Sequence, residues 1–180
     1  MHTPHQTKIL AQNRIRRIAK SPSFGLTGQG HYFITRNGKK VVINAKTQTQ
    51  GTGGAYVEFK EGEKRVGIFV ATKCVNDKWD IFHRQVLPEL RGYNLGRVGF
   101  RLIEQHIRKQ GGKKIKVETN QREVIQTLLK IGYSLKLEHK KELCACLNLS
   151  THATTREIIS ALNGKWEEAP PKLELVRELK

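Results

Sequence analysis

Long apolar runs are missing from this 180-residue sequence, and cysteine and methionine are scarce. No run approaches the ~20 apolar residues that a membrane-spanning helix needs, and the start shows no apolar core followed by a small-residue cleavage site. The three cysteines are an odd number, and Cys144 and Cys146 stand two apart on a segment predicted as a strand, which suits a disulfide poorly. We therefore expect a cytoplasmic protein with reduced thiols and no membrane partner.

Acidic residues are missing altogether from residues 1–50, which carry nine Lys and Arg. Residues 151–180 hold five of each sign, and the whole chain has a formal net charge of +17. A field of this sign attracts polyanions such as a nucleic acid, an anionic cofactor or an acidic surface. The plainer interpretation of this charge is that it only keeps the protein soluble. The alternative is that residues 1–50 bind RNA or another polyanion. The seven histidines stand at no ligand spacing with Cys or acidic residues, so no metal site is predicted.

Apolar periodicity predicts an α+β domain with a largely antiparallel sheet and one parallel strand pair. The predicted elements are a helix at 6–19, hairpins at 31–45 and 55–73 separated by a polar loop at 46–54, a strand at 78–87, a helix ending at Gly111-Gly112, a strand at 114–118, a helix from Asn120 to Gly132, a third hairpin at 133–149 and a helix at 154–164. The turn of the first hairpin is predicted at Asn37-Gly38, because Asn-Gly tolerates positive φ.

The starts of two later predicted helices carry the signature of a capping box, in which a polar residue is followed three positions later by Glu. Asn120 with Glu123 and Thr154 with Glu157 fit that spacing. After two further prolines, the last residues are predicted to lie extended on the surface. The chain is therefore divided into a basic N-terminal helix (1–20), a core (21–149) and a C-terminal helix with an extended tail (150–180).

The bend RGYNLGRVGF, which begins at Arg91, joins a predicted strand to a predicted helix. Gly92 and Gly96 place no Cβ in the path of a ligand, and Asn94 is the residue that best replaces Gly in a left-handed conformation. The helix points its free N–H groups and the positive end of its dipole back into the bend. With Arg91 and Arg97 beside it, such a cradle suits a phosphate. A tight strand-to-helix turn is the alternative.

Two blocks of the sequence, in order and correctly separated, resemble the GNAT superfamily of acyl-CoA-dependent N-acyltransferases. The first is the family's diphosphate loop, V-x-P-x-x-R-G-x-G-x-G, which is matched by Val86, Pro88, Arg91, Gly92 and Gly96, with Asn94 in place of the middle Gly. The second is a strand, an Asn, a helix and Gly-Phe, which is matched by KIKVETNQREVIQTLLKIGYSL through Val117, Asn120, Lys130, Gly132 and Tyr133.

The resemblance covers about residues 55–149 and implies a mixed, mostly antiparallel sheet with a splayed parallel strand pair flanked by helices. It also implies acetyl-CoA as cosubstrate, with its diphosphate on the amides of the bend and its pantetheine arm along the strand before it. The implied contacts are Gln85, Val86, Leu87, Arg91, Gly92, Tyr93, Asn94, Leu95, Gly96, Arg97 and Asn120. Several of these have plainer interpretations, since Val86 and Leu87 are also core residues and Asn120 is also a helix cap.

In the family an acidic residue often serves as general base, and the resemblance places it at Asp80. The alternative is that Asp80 is only a solvated charge at the start of a strand. His83 is the second candidate for the base, on the face opposite Asp80 by strand alternation. The family's proton-donating Tyr falls on Leu128, which cannot donate a proton.

Transfer of an acetyl group to a primary amine is the implied activity, and the sequence leaves the acceptor open. Residues 1–54 are expected to shape the acceptor side. Their charge disfavours polyamines and favours an RNA-associated acceptor, such as an aminoacyl-tRNA or a ribosomal component, or else a protein. The alternative to an enzyme is a non-catalytic nucleic-acid-binding or CoA-sensing module on a GNAT scaffold.

Overall fold

The computed structural model describes residues 29–51, 53–164 and 171–179. The basic helix predicted within residues 1–20 lies outside this part of the chain. The elements are β1 (Gln29–Arg36), β2 (Lys39–Gln50), β3 (Gly54–Glu61), β4 (Lys64–Lys73), β5 (Lys78–Val86), α1 (Leu95–Lys109), β6 (Lys114–Thr119), α2 (Arg122–Lys130), β7 (Ser134–Leu135), α3 (Leu137–Cys146), α4 (Thr155–Leu162) and β8 (Leu173–Glu178). The strands form one sheet in the order β1-β2-β3-β4-β5-β6-β8-β7.

The first two hairpins are confirmed. Arg36 pairs with Lys39, so Asn37 and Gly38 form a two-residue turn with φ values of 51° and 75°. Positive φ at both positions matches the twist of the flanking strands. The predicted loop at 46–54 is wrong over residues 46–50, because β2 continues to Gln50 and pairs with β3 from Asn44 to Gln50. The Thr and Gln side chains of residues 46–50 show no apolar alternation, so the sequence pattern does not indicate the strand that they form with β3.

The splayed parallel pair expected from the resemblance is present. β5 and β6 pair in parallel only at their first residues, and the last pair joins Asp80 to Lys116. Beyond it β5 remains paired with β4 as far as Val86, whereas β6 remains paired with β8 as far as Thr119. The sheet therefore splits between its two central strands towards their carboxyl ends.

The third predicted hairpin is wrong. Residues 134–135 form a two-residue strand, and Leu137–Cys146 is a helix in which Leu143 and Cys144 are buried. The segment is rich in Lys, Glu, Leu and Ala, which favour helix, and its apparent alternation was a coincidence of spacing. Cys144 and Cys146 therefore lie on α3 and not on a strand.

The surface placement predicted for the last residues is also wrong. β8 enters the sheet between β6 and β7, and its Leu173 and Leu175 are completely buried. The alternation Leu173–Glu174–Leu175 is the pattern of a strand with one buried face. The sheet thus uses residues beyond position 149, where the predicted core ends.

One of the two predicted capping boxes is confirmed. The Thr154 hydroxyl accepts a hydrogen bond from the Glu157 amide, and the Glu157 carboxylate accepts one from the Thr154 amide at 2.6 Å. The other is wrong, because α2 begins one residue later than predicted, with Gln121 as a cap that makes no side-chain bond. Instead the Thr119 hydroxyl accepts the Gln121 N–H at 3.0 Å.

One face of the sheet is buried under α1 and α2. A chain of edge contacts joins the rings of Phe59, Phe69, Phe100 and Tyr133, with centroids 5.2–6.3 Å apart. Gly99 lies where α1 crosses β4, and a Cβ built there would overlap the Phe69 ring. By contrast, a Cβ at Gly96, one turn earlier in the helix, would meet no atom within 4 Å.

This contrast predicts opposite effects of one substitution at two positions of α1. Gly99→Ala should destabilise the protein by about 1–3 kcal/mol, because Phe69 or the helix must move. Gly96→Ala should be neutral or stabilise by up to ~1 kcal/mol through helix propensity. Urea denaturation monitored by circular dichroism measures both, and equal free energies of unfolding for the two variants would contradict this packing.

Candidate functional site

The split between β5 and β6 opens into a cleft of about 310 Å³. Its lining comes from the separated strand ends, the residues after β6 and the approach to β8, namely Phe82, His83, Arg84, Glu118, Thr119, Asn120, Gln121 and Lys172. A second cavity of about 370 Å³ lies beside β4 and shares Phe82 with the first. Carboxyl ends of parallel strands commonly hold ligands where the sheet opens.

A β-bulge at Phe82 decides which side chains face which side of the sheet. Val70 pairs with His83 and Ala71 with Ile81, so Phe82 has no partner across the ladder and its side chain is 59% exposed. Beyond the bulge the alternation is reversed. The prediction that His83 faces away from Asp80 is therefore wrong, because their partners Val70 and Thr72 are two residues apart and share a face.

Asp80 belongs to a line of ion pairs at the closed end of the split. Its carboxylate lies 3.4 Å from Lys116 Nζ, which also contacts Glu118 at 3.0 Å. Lys172 contacts Glu118 from the far side at 2.7 Å. Hydrogen bonds from Lys172 and Lys116 lower the pKa of Glu118 to about 2. The pKa of Lys116 is raised, first by Glu118 and then by Asp80. To act as a base, Asp80 would have to give up its ammonium partner.

The bend after β5 has the conformation predicted for it. Asn94 adopts the left-handed region with φ of 63° and is the N-cap of α1, but its side chain makes no capping bond. Gly92 has φ of 87°, which favours glycine. The amides of Leu95, Gly96 and Arg97 precede the first helical bond, which runs from Val98 N–H to the Asn94 carbonyl. The open space over Gly96 leaves these donors accessible.

Positive charge surrounds this cradle of amides. Arg91 and Arg97 are exposed, and the first turn of α1 contains no acidic residue. Burial, and then repulsion by Arg101, lowers the pKa of Arg97. The nearby Glu89 is paired with Lys64 at 3.1 Å. Tyr93 packs partly against the core, and Leu95 is buried beneath the bend.

The strand before the bend offers one free edge. Leu87 N–H donates to the Val66 carbonyl at 3.0 Å, so this amide belongs to the β4 ladder. Because successive amides of a strand point to opposite edges, the polar groups of Val86 face the split. The side chains of Val86 and Leu87 pack against the core, whereas Gln85 is exposed on the face of His83. Asn120 is exposed and lines the cleft.

Leu128 does not reach the cleft. It is 0% exposed within the core, as expected for an apolar side chain on the buried side of α2. Tyr133 is also buried, and burial raises its pKa. Neither residue therefore offers a proton to a group in the cleft.

Arg84 is one of several cleft residues that were not predicted from the sequence. Its Nη2 donates to the Glu118 carbonyl at 3.0 Å, across the split from β5 to β6. Its Nε is buried and has no hydrogen-bond partner among the described residues. Burial lowers the pKa of Arg84, against the opposing attraction of Asp80. Simple alternation from Asp80 places residue 84 on the solvated face; only the bulge turns it to the face of Phe69.

No protein-family model matches the sequence, and no curated protein matches it. Solved structures match in fold. A Klebsiella pneumoniae protein assigned to the acyl-CoA N-acyltransferases aligns over 74% of this chain and 77% of its own, at 14% identity and a TM-score of 0.52. A GNAT-family acetyltransferase from Staphylococcus aureus aligns over 73% and 72%, at 11% identity and 0.51. A Bacillus subtilis acetyltransferase, solved in complex with CoA, aligns over 71% and 78%, at 14% identity and 0.50.

The chain has the GNAT fold. This confirms the mixed sheet with its splayed parallel pair that the sequence resemblance implied. Within the described parts of this GNAT fold, no helix is long and apolar enough to cross a membrane. The same residues contain no group of three or more His, Cys, Asp or Glu side chains that could hold a metal ion.

The ion pairs at the rim of the GNAT cleft predict a pH dependence of stability. Glu118 has a folded pKa of about 2, below its ordinary value. Its contribution is therefore fully present above the unfolded pKa of about 4.3 and is lost as the pH falls towards 2. Because the carboxylate is partly exposed, solvent screening limits the contribution to less than ~1 kcal/mol.

The expected result is that Glu118→Gln lowers the free energy of unfolding at pH 6 but not near pH 2, as measured by urea denaturation across this range. Glu63→Gln, at an exposed turn, is the matched control and should change little at any pH. A difference between wild type and Glu118→Gln that stays constant with pH would show that the pairs do not act as the geometry indicates.

Proposed function

We propose that this protein is an acyl-CoA-dependent N-acetyltransferase that transfers the acetyl group of acetyl-CoA to a primary amine. The observation that supports this most directly is the cradle of amides from Gly92 to Arg97 at the open end of the split. Its geometry suits a phosphate, and among the described residues no atom lies within 4 Å of a Cβ built at Gly96. The GNAT fold supplies the same expectation from an independent source.

The residues around the split fit the parts of acetyl-CoA. The amides of the bend, with Arg91 and Arg97, would hold the diphosphate. The free edge of Val86 would pair with the amide groups of the pantetheine arm, and Asn120, the residue after β6, would face that arm. Acetyl-CoA supplies the activated thioester; the protein has to bind it, exclude water and accept the proton of the amine.

The acceptor amine is assigned to the face of the sheet that carries the second cavity. Phe82 lies between this cavity and the cleft, so groups bound in the two would meet beside it. His83 follows Phe82 and lines the cleft, and imidazole accepts protons readily near neutral pH. We therefore propose His83 as the general base and place Asp80 second, because Lys116 occupies its carboxylate.

The charge distribution favours an acceptor attached to a polyanion. The basic residues of the first 50 positions would repel a polyamine and attract RNA. We accordingly propose an RNA-associated amine, such as an aminoacyl-tRNA or a ribosomal component, as the first acceptor class to test. A protein amine in an acidic context is the second.

Binding of the cosubstrate is tested by titration calorimetry. Wild type should bind acetyl-CoA with an affinity that falls as salt rises, since phosphates are the contacts. Gly96→Glu should weaken binding at least about tenfold, because its carboxylate would enter the phosphate cradle. Gly96→Ala adds an uncharged methyl group to the same space and should weaken binding less than Gly96→Glu does.

A matched control separates local from general electrostatics. Gln105→Glu introduces the same charge on the exposed side of α1 and should change the affinity less than about threefold. If Gly96→Glu and Gln105→Glu weaken binding equally, or if wild type does not bind, the cradle does not hold a diphosphate and the proposed activity is wrong.

The base is tested once an amine in the acceptor screen releases CoA thiol. His83→Gln should lower kcat about 10²–10⁴-fold and abolish the rise of the rate with pH through the neutral range. Asp80→Asn should keep that rise. The reverse assignment, with the pH dependence lost in Asp80→Asn and kept in His83→Gln, would make Asp80 the base.

A non-catalytic CoA-sensing module is the second candidate, and the buried Leu128 is the observation that favours it. Without a proton donor at that position, the leaving thiolate needs some other stabilisation. This candidate predicts tight acetyl-CoA binding and no thiol release with any amine. Nucleic-acid binding that is independent of acetyl-CoA would point to the third class of function raised by the sequence.

A further inference from the structure

Arg84 carries a positive charge that no carboxylate neutralises by direct contact among the described residues. Its neighbours in the cleft are paired, since Lys172 contacts Glu118 and Lys116 contacts both Asp80 and Glu118. Within the part of the chain that the structure describes, the guanidinium of Arg84 makes one hydrogen bond, to a backbone carbonyl of β6, and its buried Nε has no partner.

Such a charge is expensive to keep. The residue is half-buried, and partial removal of a guanidinium from water without a carboxylate partner is unfavourable, so an apolar side chain of similar volume would fill the same place at less cost. The carbonyl that accepts this bond, Glu118 O, lies on the edge of β6 that is no longer paired with β5 beyond Asp80. Arg84 therefore spans the split at its floor with donors left over, which is the arrangement of a site that receives an anion.

The position of Arg84 along β5 indicates which part of the cosubstrate it would meet. The diphosphate cradle begins after Val86, at the wide end of the split, and the strands close at Asp80. An arm that enters from the cradle and follows the free edge of Val86 advances towards Arg84 with its sulfur leading. The anion that forms there during acyl transfer is the leaving thiolate.

We propose that Arg84 stabilises the leaving thiolate of CoA by its charge, in place of a proton donor. The inference rests on the proposed function and explains how the site works with Leu128 in the core. The amine nitrogen bonds to the carbonyl carbon, the carbon–sulfur bond breaks, and its electron pair departs on sulfur. The amine proton passes to His83. The thiolate stays paired with the guanidinium until CoA leaves and takes a proton from water.

The test measures the ionisation of bound CoA and needs no acceptor. Thiolate absorbs in the ultraviolet where thiol does not, so a pH titration of CoA on the saturated protein reports its ionised fraction, with desulfo-CoA as the blank. A guanidinium beside the sulfur should lower the thiol pKa, as neighbouring cations do for cysteine. At a pH one below the ordinary thiol pKa, wild type should show several times more thiolate than free CoA.

Three variants of Arg84 sharpen this measurement. Arg84→Gln and Arg84→Met should return the thiol to its behaviour in free solution while acetyl-CoA affinity changes less than about threefold. Arg84→Lys should retain part of the effect. Arg156→Gln, at an exposed position of α4, is the matched loss of one arginine and should behave as wild type. Circular dichroism verifies folding, and Arg84→Met removes a half-buried charge while keeping a side chain of similar volume.

Two outcomes overturn the inference while leaving the proposed function standing. One is CoA that binds wild type and Arg84→Gln alike and ionises at the same pH in both. The other is a loss of affinity in Arg84→Gln that appears only with a carboxylate-bearing acyl chain, such as succinyl-CoA, and not with acetyl-CoA; this would make Arg84 a carboxylate site. A wild type that binds no CoA overturns both proposals at once.

Discussion

The split between β5 and β6 is the constraint on which the rest of the molecule depends. Pairing of the two central strands stops after Asp80 and Lys116, so each strand exposes one edge of polar groups to the gap. A sheet cannot leave such an edge buried without partners. The chain answers in two ways: the Arg84 guanidinium reaches the Glu118 carbonyl across the gap, and the remaining edge lines a cleft in which a ligand with its own amides can pair.

The electrostatics of the site follow from how its charges are divided. At the closed end of the split, Asp80, Lys116, Glu118 and Lys172 neutralise one another in a continuous line. At the open end, Arg91 and Arg97 flank free amides, and the first turn of the helix holds no acid. Arg84 lies between these regions. The proposed anionic ligand would thus be attracted to the open end and would meet its countercharges along one path, which a uniform basic surface would not provide.

Features of local backbone conformation could be predicted from the sequence. The turn at Asn37-Gly38, the left-handed Asn94 and the cap at Thr154 depend on a few adjacent residues, and the sequence analysis predicts all three correctly. The segments that failed depend on distant partners. Residues 46–50 form a strand because β3 pairs with them. Leu173–Glu178 forms β8 because it pairs with the edge of β6 that faces away from β5. The residues of α3 alternate in polarity as a strand would, although their composition favours helix, and Leu143 and Cys144 are buried in the helical conformation.

The candidate site divides in the same way, and the bulge at Phe82 is the reason. The bend after β5 is a local motif, so its residues and their conformation could be predicted. The faces of Asp80, His83 and Arg84 could not be predicted, since one unpaired residue reverses the alternation for everything after it.

The bulge has a chemical consequence. It turns His83 to the face of the second cavity and Arg84 to the opposite face, although the two residues are adjacent. Acyl transfer requires a proton acceptor on the side of the incoming amine and a stabilising charge on the side of the departing sulfur. A regular strand in this register would have put Asp80, already paired with Lys116, on the same face as Arg84, and His83 among the core residues. In the proposed reaction, one extra residue in β5 would therefore allow a single strand to supply both groups from its opposite faces.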